Sequence, residues 1–380
     1  MENRKIIAIY YPQYHSIPLN DFHWGKGFTD WNNVKKAQPL FEGHYQPKTP
    51  LDGYYDPRDV ETLKAQSELA KKYGVYGFCF YHYWFDGQLL LEQPLLNFLN
   101  DKRIDMPFCL SWANETWTKR WVGDSKTVII KQNHTPNQDL WEKHFNFLLP
   151  FFKDERAIKI DGMPVFLIFQ PFIINQINKM LEYWQELAKN NGLKGIYFIA
   201  TKRHEYFPEN SLKMFSAAMK FQPSNAKNSK NFKSKSFLTS LFFQKIRGLG
   251  ERTIDMLHFF KQKFEGAKHI SSREVWDTIL QEAEEFDCMN KPVFESAYVN
   301  WDNTARYGKK ATIYSHVTPD VFGQNLENLF SVLEKKKEEN IVFINAWNEW
   351  AESAYLEPDD KYGYEYLEII KKIINNETTE

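Results

Sequence analysis

Cysteine is scarce in this 380-residue chain: Cys79, Cys109 and Cys288 are odd in number and far apart. That spacing excludes a disulfide framework and a zinc pattern, and it suits a reduced compartment. Cys79 and Cys109 lie in apolar, strand-like runs and are expected to be buried thiols. Long hydrophobic runs are also missing. No stretch approaches the ~18 apolar residues that span a bilayer. "MENRKIIAIYYPQYHSIP" has too short an apolar run, and no small-residue cleavage site, for a signal peptide. A cytoplasmic protein is the expectation. Neither charge dominates, with a net of −1. No glycine-rich phosphate turn follows the first strand-like run, where "YYPQYHSIP" stands instead, which disfavours a dinucleotide-binding sheet and nucleotide hydrolysis. His15, His23, His44 and His82 form no His-x-x-x-His pair, so no metal and no cofactor is expected.

Aromatic residues, by contrast, are abundant. They make up 17% of the chain and include 12 Trp. Trp84, Trp112, Trp117, Trp121, Trp301, Trp347 and Trp350 follow or end strand-like runs, while Trp24 and Trp31 share one long loop. Such placement favours a ligand surface over a core.

Eight apolar runs rich in β-branched and aromatic residues recur near 5–12, 75–84, 107–113, 164–170, 195–201, 215–221, 292–301 and 340–350. Segments of helical period separate most of them. The alternation predicts a parallel α/β architecture, here a single-domain (β/α)8 TIM barrel over 1–380. Chemistry should then collect where strands end, at "YYPQYH", "FYHYWF", "SWANETW", "VNWDNT" and "NEWAES".

Strand alternation puts Asn345, Trp347 and Glu349 on one side, with Glu352 just beyond in the loop. Two carboxylates so placed are expected about 5 Å apart, the separation of a retaining glycosidase pair. A helix cap or a surface ion pair is the competing role for Glu352. Glu115, beside Asn114, would hold a sugar hydroxyl or a loop amide. Asp302 and Asn303 would bind hydroxyls or merely make a turn. Indole and phenol faces suit the C–H faces of sugar rings, and Asn, Asp and His read hydroxyls. The expected substrate-binding set is Tyr11, His15, Trp31, His82, Trp84, Trp112, Asn114, Glu115, Trp117, Tyr298, Trp301, Asp302, Asn303, Trp347 and Trp350, with Glu349 and Glu352 catalytic. The ligand implied is a carbohydrate.

Together "YYPQYH", "WGKGFTDWNNV", "PLFEGHYQPKTPLDGYYD", "GFCFYHYWFDG", "LSWANETWTKRW", "WDNTAR" and "WNEWAESAYLEPD" resemble the WbsX-type family, over about residues 5–360. That family in turn resembles glycoside hydrolase family 99 and is described as presumed glycosyltransferases of bacterial surface-polysaccharide gene sets. The resemblance implies a (β/α)8 barrel and a retaining reaction at a glycosidic bond. It also implies that Glu349 takes a proton from the substrate 2-hydroxyl, giving a 1,2-anhydro sugar, while Glu352 is acid and then base. The chain departs from the pattern at Ala351, which replaces a His, and at Ser353, which replaces a Gly. Ser216 and Lys220 stand where relatives tend to carry acids; a lysine there would reverse a charge near the mouth.

Three readings stay open: a glycan-active enzyme working at a glycosidic bond, a nucleotide-sugar-dependent glycosyltransferase, and a non-catalytic glycan-binding barrel. An oligosaccharide or lipid-linked glycan is the expected partner in O-antigen or capsule synthesis, with no nucleic acid. Residues 222–270 read as a basic, partly helical insertion. The stretch 220–270 holds 11 Lys or Arg against 3 Asp or Glu, and "SFLTSLFFQKIR" sets Phe237, Leu238, Leu241, Phe242 and Ile246 on one helical face. Segment 224–268 would either lie on an anionic membrane or pack on the barrel.

Overall fold

Residues 4–119, 126–204, 212–232, 266–285, 291–336 and 340–376 are described in this computed structural model. The eight apolar runs are strands β1 (Lys5–Tyr10), β2 (Gly77–Phe85), β3 (Phe108–Trp112), β4 (Met163–Ile168), β5 (Tyr197–Lys202), β6 (Ala217–Lys220), β7 (Val293–Tyr298) and β8 (Ile341–Asn345). Each pairs in parallel with the next, from β1 with β2 through to β7 with β8. The circle closes where Lys5 of β1 lies opposite Ile341 of β8. This is the (β/α)8 barrel expected.

Helices α1 (Val60–Lys72), α2 (Gln93–Asn100), α3 (Gln138–Lys153), α4 (Ile177–Asn190), α5 (Ser272–Glu284), α6 (Pro319–Lys336) and α7 (Glu365–Ile374) form the outer layer. Polar caps start two of them: Asp59 accepts from the Glu61 amide at 3.2 Å and Asn137 from the Leu140 amide at 3.1 Å.

Because strand side chains alternate, the barrel has two cores. Ile7, Ile9, Cys79, Cys109, Leu167, Ile199, Met219 and Phe343 fill the interior. Ile6, Ala8, Phe78, Phe80, Leu110, Phe166 and Phe198 face outward and pack with Leu63, Phe98, Leu148 and Trp184 of the helices. At the start of β2, a Cβ on Gly77 would lie 2.7 Å from the Pro107 carbonyl oxygen, so only glycine lets β2 enter beside β3. Cys79 and Cys109 are cross-strand neighbours in the interior, and burial pushes the Cys79 thiol well above its ordinary value. In a Cys288→Ser background, a thiol-reactive dye is expected to label neither cysteine until denaturant is added; labelling of native protein would contradict this burial.

The basic insertion is described only at its ends. Ser224–Lys227 is a short helix after β6, and Lys268–Ser271 is a strand paired in parallel with Thr312–Ser315. The amphipathic stretch Phe237–Ile246 lies outside the described residues, as do Trp121 and Cys288. Among the described residues, no helix is long and apolar enough to cross a membrane.

Candidate active site

A cleft of about 380 Å³ opens at the C-terminal end of the barrel, and every strand contributes to its wall. Tyr11 follows β1, Tyr81 lies on β2, Glu115 follows β3, Phe169 follows β4, and Arg203 follows β5. Phe221 follows β6, Trp301 follows β7, and Asn345 ends β8. Trp117, from a short hairpin pairing Trp117–Thr118 with Val128–Ile130, and Asn303 also line it.

Glu349 and Glu352 both reach this cleft. After Asn345 the strand ends, and Asn348–Glu349 turns back through a 3-10 helical turn, Trp350–Glu352, to pair with Ala354–Tyr355. Three residues per turn bring Glu349 and Glu352 to the same side. Ser353 completes the turn with a left-handed φ of 57°, the region glycine favours, and its hydroxyl donates to the Asp302 carbonyl at 3.1 Å.

One guanidinium joins the two glutamates. Arg306 Nη1 lies 2.8 Å from Glu352 Oε1, and Nη2 lies 3.1 Å from Glu349 Oε1. Nη2 also pairs with Asp30 and donates to the Tyr11 hydroxyl at 2.9 Å. The carboxylates are therefore no further apart than one guanidinium and two hydrogen bonds. Burial would discharge Arg306, but Asp30, Glu349, Tyr11 and Glu352 together hold its pKa well above the ordinary value. Burial pushes the Glu349 carboxyl well up; Arg306 opposes this, while Glu352 and Asp30 add to it. Glu352 is raised as well, chiefly by burial and again against the pull of Arg306. Two coupled carboxyls that resist ionisation, beside a cation that favours it, can share out acid and base roles.

Of the residues singled out in the sequence, Tyr11, Glu115, Trp117, Trp301, Asn303, Glu349 and Glu352 meet in this cleft. Glu115 pairs with Gln170 and, at 3.2 Å, with Arg203. The others do not line it, and strand parity is one reason. His82, Trp84 and Trp112 point out to the helices. The Nε2 atoms of His82 and His144 are 2.8 Å apart, Trp84 stacks on His144 at 4.6 Å, and Trp112 donates to the Trp84 carbonyl. Trp347 likewise turns outward, onto Phe78 at 5.2 Å, because the chain leaves extended geometry after Asn345 and the alternation stops.

Trp350 lies beneath the two glutamates, fully buried and stacked on Tyr355 at 3.7 Å. Trp31 stacks on Tyr14, and Tyr298 on Trp276. His15 is buried against the Pro12 carbonyl, and burial lowers its pKa to about 4. Asn114 holds both backbone groups of Gln170. Asp302 ties down His44, Gln46 and Thr304, and these donors hold its carboxyl below the usual value despite burial. Lys220 reverses no charge at the mouth: it is buried against Glu295 at 2.7 Å and the Glu282 carbonyl at 3.0 Å. Among the described residues, no group of three or more His, Cys, Asp or Glu could hold a metal ion.

Arg306, Asp30, Gln13, Tyr83 and Arg203 were not singled out in the sequence. Charge balance is the signal that finds Arg306, since two acids at a barrel mouth call for a cation and "WDNTAR" supplies one.

A closed parallel barrel with an aromatic cleft and paired acids at its mouth is the architecture of a carbohydrate-active TIM-barrel enzyme. The model of the family described as Glycosyltransferase WbsX matches residues 6–370, and the chain belongs to that family. It is 31% identical over 372 residues, 97% of its length, to an "Uncharacterized protein WxcX" of Xanthomonas campestris pv. campestris. The chain spans about half the length of that relative, 49%. Among solved structures it resembles a "Glycoside hydrolase-like protein" at a TM-score of 0.58 and 13% identity, covering 98% of this chain and 94% of the other. It also resembles the GH99 endo-alpha-mannosidase of Bacteroides thetaiotaomicron at a TM-score of 0.53 and 13% identity, covering 98% and 96%.

Proposed function

We propose that this chain is a retaining enzyme that cleaves or transfers at a glycosidic bond of a mannose-like glycan, with Glu349 and Glu352 as the working pair. The observation that carries this reading is the sharing of one guanidinium by two pKa-raised carboxyls, Glu349 buried and Glu352 half-buried, at the floor of an aromatic cleft. Glu352, the more exposed of the two, gives its proton to the departing glycosidic oxygen. Glu349, the deeper of the two, takes the 2-hydroxyl proton as the 2-oxygen closes on C1 and the glycosidic bond breaks, giving a 1,2-anhydro sugar. Glu352 then takes a proton from the incoming water or acceptor hydroxyl as it attacks C1. The C1–O2 bond opens, and Glu349 returns its proton to the 2-oxygen, which restores both carboxyls. Trp117 and Trp301 stack on the flanking rings.

The family's description as glycosyltransferases favours transfer, and the likeness to an endo-alpha-mannosidase supports the mannose-type substrate. A lipid-linked glycan of surface-polysaccharide synthesis, met in the cytoplasm at the inner membrane, is the setting that fits the WbsX-type motifs. The transferase description also supports a second reading, in which a nucleotide sugar is the donor.

Incubation with mannose-type oligosaccharides and, separately, with nucleotide sugars decides between the two: consumption of nucleotide sugars alone would overturn the first. Trp117→Ala or Trp301→Ala is expected to raise KM about tenfold, since a ring–ligand contact contributes roughly 1–1.5 kcal/mol. An unchanged KM in both would remove the stacking role.

A further inference from the structure

Glu357 is a buried carboxylate behind the cleft, 7% exposed, and it does not line the cavity. Its Oε2 accepts from the Trp350 indole N–H at 2.7 Å and from the Tyr55 hydroxyl at 2.8 Å. Its Oε1 accepts from the Gln66 amide of α1 at 2.6 Å. The Tyr55 hydroxyl in turn accepts from Asn348 Nδ2 at 3.1 Å, and Asn348 brackets the backbone of Tyr11 through both of its amide atoms. Trp350 and Asn348 are the two residues that flank Glu349.

We propose that Glu357 is a positioning residue for Glu349: its carboxylate grips Trp350 directly and Asn348 through Tyr55, so both neighbours of the reacting glutamate hang from one buried anion. This rests on the catalytic reading of Glu349 and Glu352. The donors around Glu357 are all neutral. Tyr10 of β1 and Tyr55 of the loop before α1 are the titratable groups that face it, and both are held well above their ordinary values by burial. Asp359, two residues on, is turned to the Tyr355 hydroxyl and the Lys361 and Tyr362 amides. Arg306 is engaged with Asp30, Glu349 and Glu352.

Burial without a compensating cation pushes the Glu357 carboxyl up to about 7. Once protonated, it accepts fewer hydrogen bonds and the grip on Trp350 and Tyr55 weakens. A carboxyl raised in the folded state contributes stability that is full below its ordinary value of 4.5 and is lost as pH rises through about 7. Positioning follows the opposite course, since the ionised form holds Glu349. Activity should therefore rise while stability falls across the same pH window. A merely structural carboxyl would move stability alone.

The test compares wild type with Glu357→Gln, which keeps an acceptor oxygen but cannot titrate, and with Trp350→Phe, which keeps a ring but loses the indole donor. Expected for Glu357→Gln are loss of the kcat inflection near pH 7, a KM within twofold of wild type, and a shallower stability decline between pH 6 and 8, what remains belonging to Glu349 and Glu352. Trp350→Phe should lower kcat about tenfold at pH 8, the effect of one lost hydrogen bond to a charged group. Superposable kcat and stability profiles for wild type and Glu357→Gln overturn the proposal. So does a change in the stability profile alone, with kcat unaffected. If Glu352→Gln retains full turnover, it is the catalytic reading that fails. Glu357 is then judged by a double-mutant cycle with Trp350 in urea, and a coupling below twofold in the unfolding constant rejects the clamp.

Discussion

Replacing Glu352 with Gln should lower turnover at least ~10²-fold, the scale of one general acid–base group, with little change in glycan affinity. Glutamine is close to isosteric and can still meet Arg306, so the cleft should keep its shape while losing the transferable proton. The loss should be largest for substrates with poor leaving groups, because an activated leaving group needs no proton. Glu349→Gln should cost as much whatever the leaving group, since Glu349 serves the sugar and not the departing oxygen. Kinetics on a natural-type linkage and an activated aryl glycoside separate the two roles. Unchanged turnover in either variant would remove that residue from the mechanism.

Replacing Arg306 with Met should have the largest effect on stability. Asp30, Glu349 and Glu352 would lose the cation they share, and breaking a buried pair from one side costs roughly 3–5 kcal/mol. The pH dependence has a definite sign. Glu349 and Glu352 already bind protons more readily in the folded state, because burial raises both carboxyls. Without Arg306, which opposes that rise, their folded values climb further. Stability from such groups is full below the ordinary carboxyl value of 4.5 and is lost as pH rises. The deficit of Arg306→Met should therefore be largest near neutral pH and shrink toward pH 4.5, as measured by urea midpoints across that range. A deficit that grew in acid would contradict the shared-cation account. Arg306→Lys should recover only part of the loss, since a point charge cannot span three carboxylates as a planar fork does.

How far the chain could be read without its fold is plain from single residues. Glu349 and Glu352 were legible because two acids ending an apolar strand have few structural uses. Trp117 and Trp301 were legible because they follow strands and meet the mouth. His82, Trp84 and Trp112 follow the same rule and lie outside the cleft, because the side of a strand a residue faces depends on parity counted from the barrel axis. Trp350 was close in sequence and still misplaced: the turn that presents its flanking glutamates tucks its indole under them, onto Tyr355 and Glu357.

Local chemistry alone determined the eight strands, their alternation with helices, the barrel they close, and the two acids at its mouth. Each of these follows from the order of apolar and polar side chains along a short stretch, and short-range order is what a sequence displays. The tertiary structure alone decided the charge state of the site. Asp30, Arg306 and Glu349 come from three distant segments, and Glu357 meets Tyr55 and Gln66 from the far end of the chain. Whether a carboxyl is held ionised or pushed up depends on which groups surround it in a space closed to water, and that enclosure exists only once the barrel has closed.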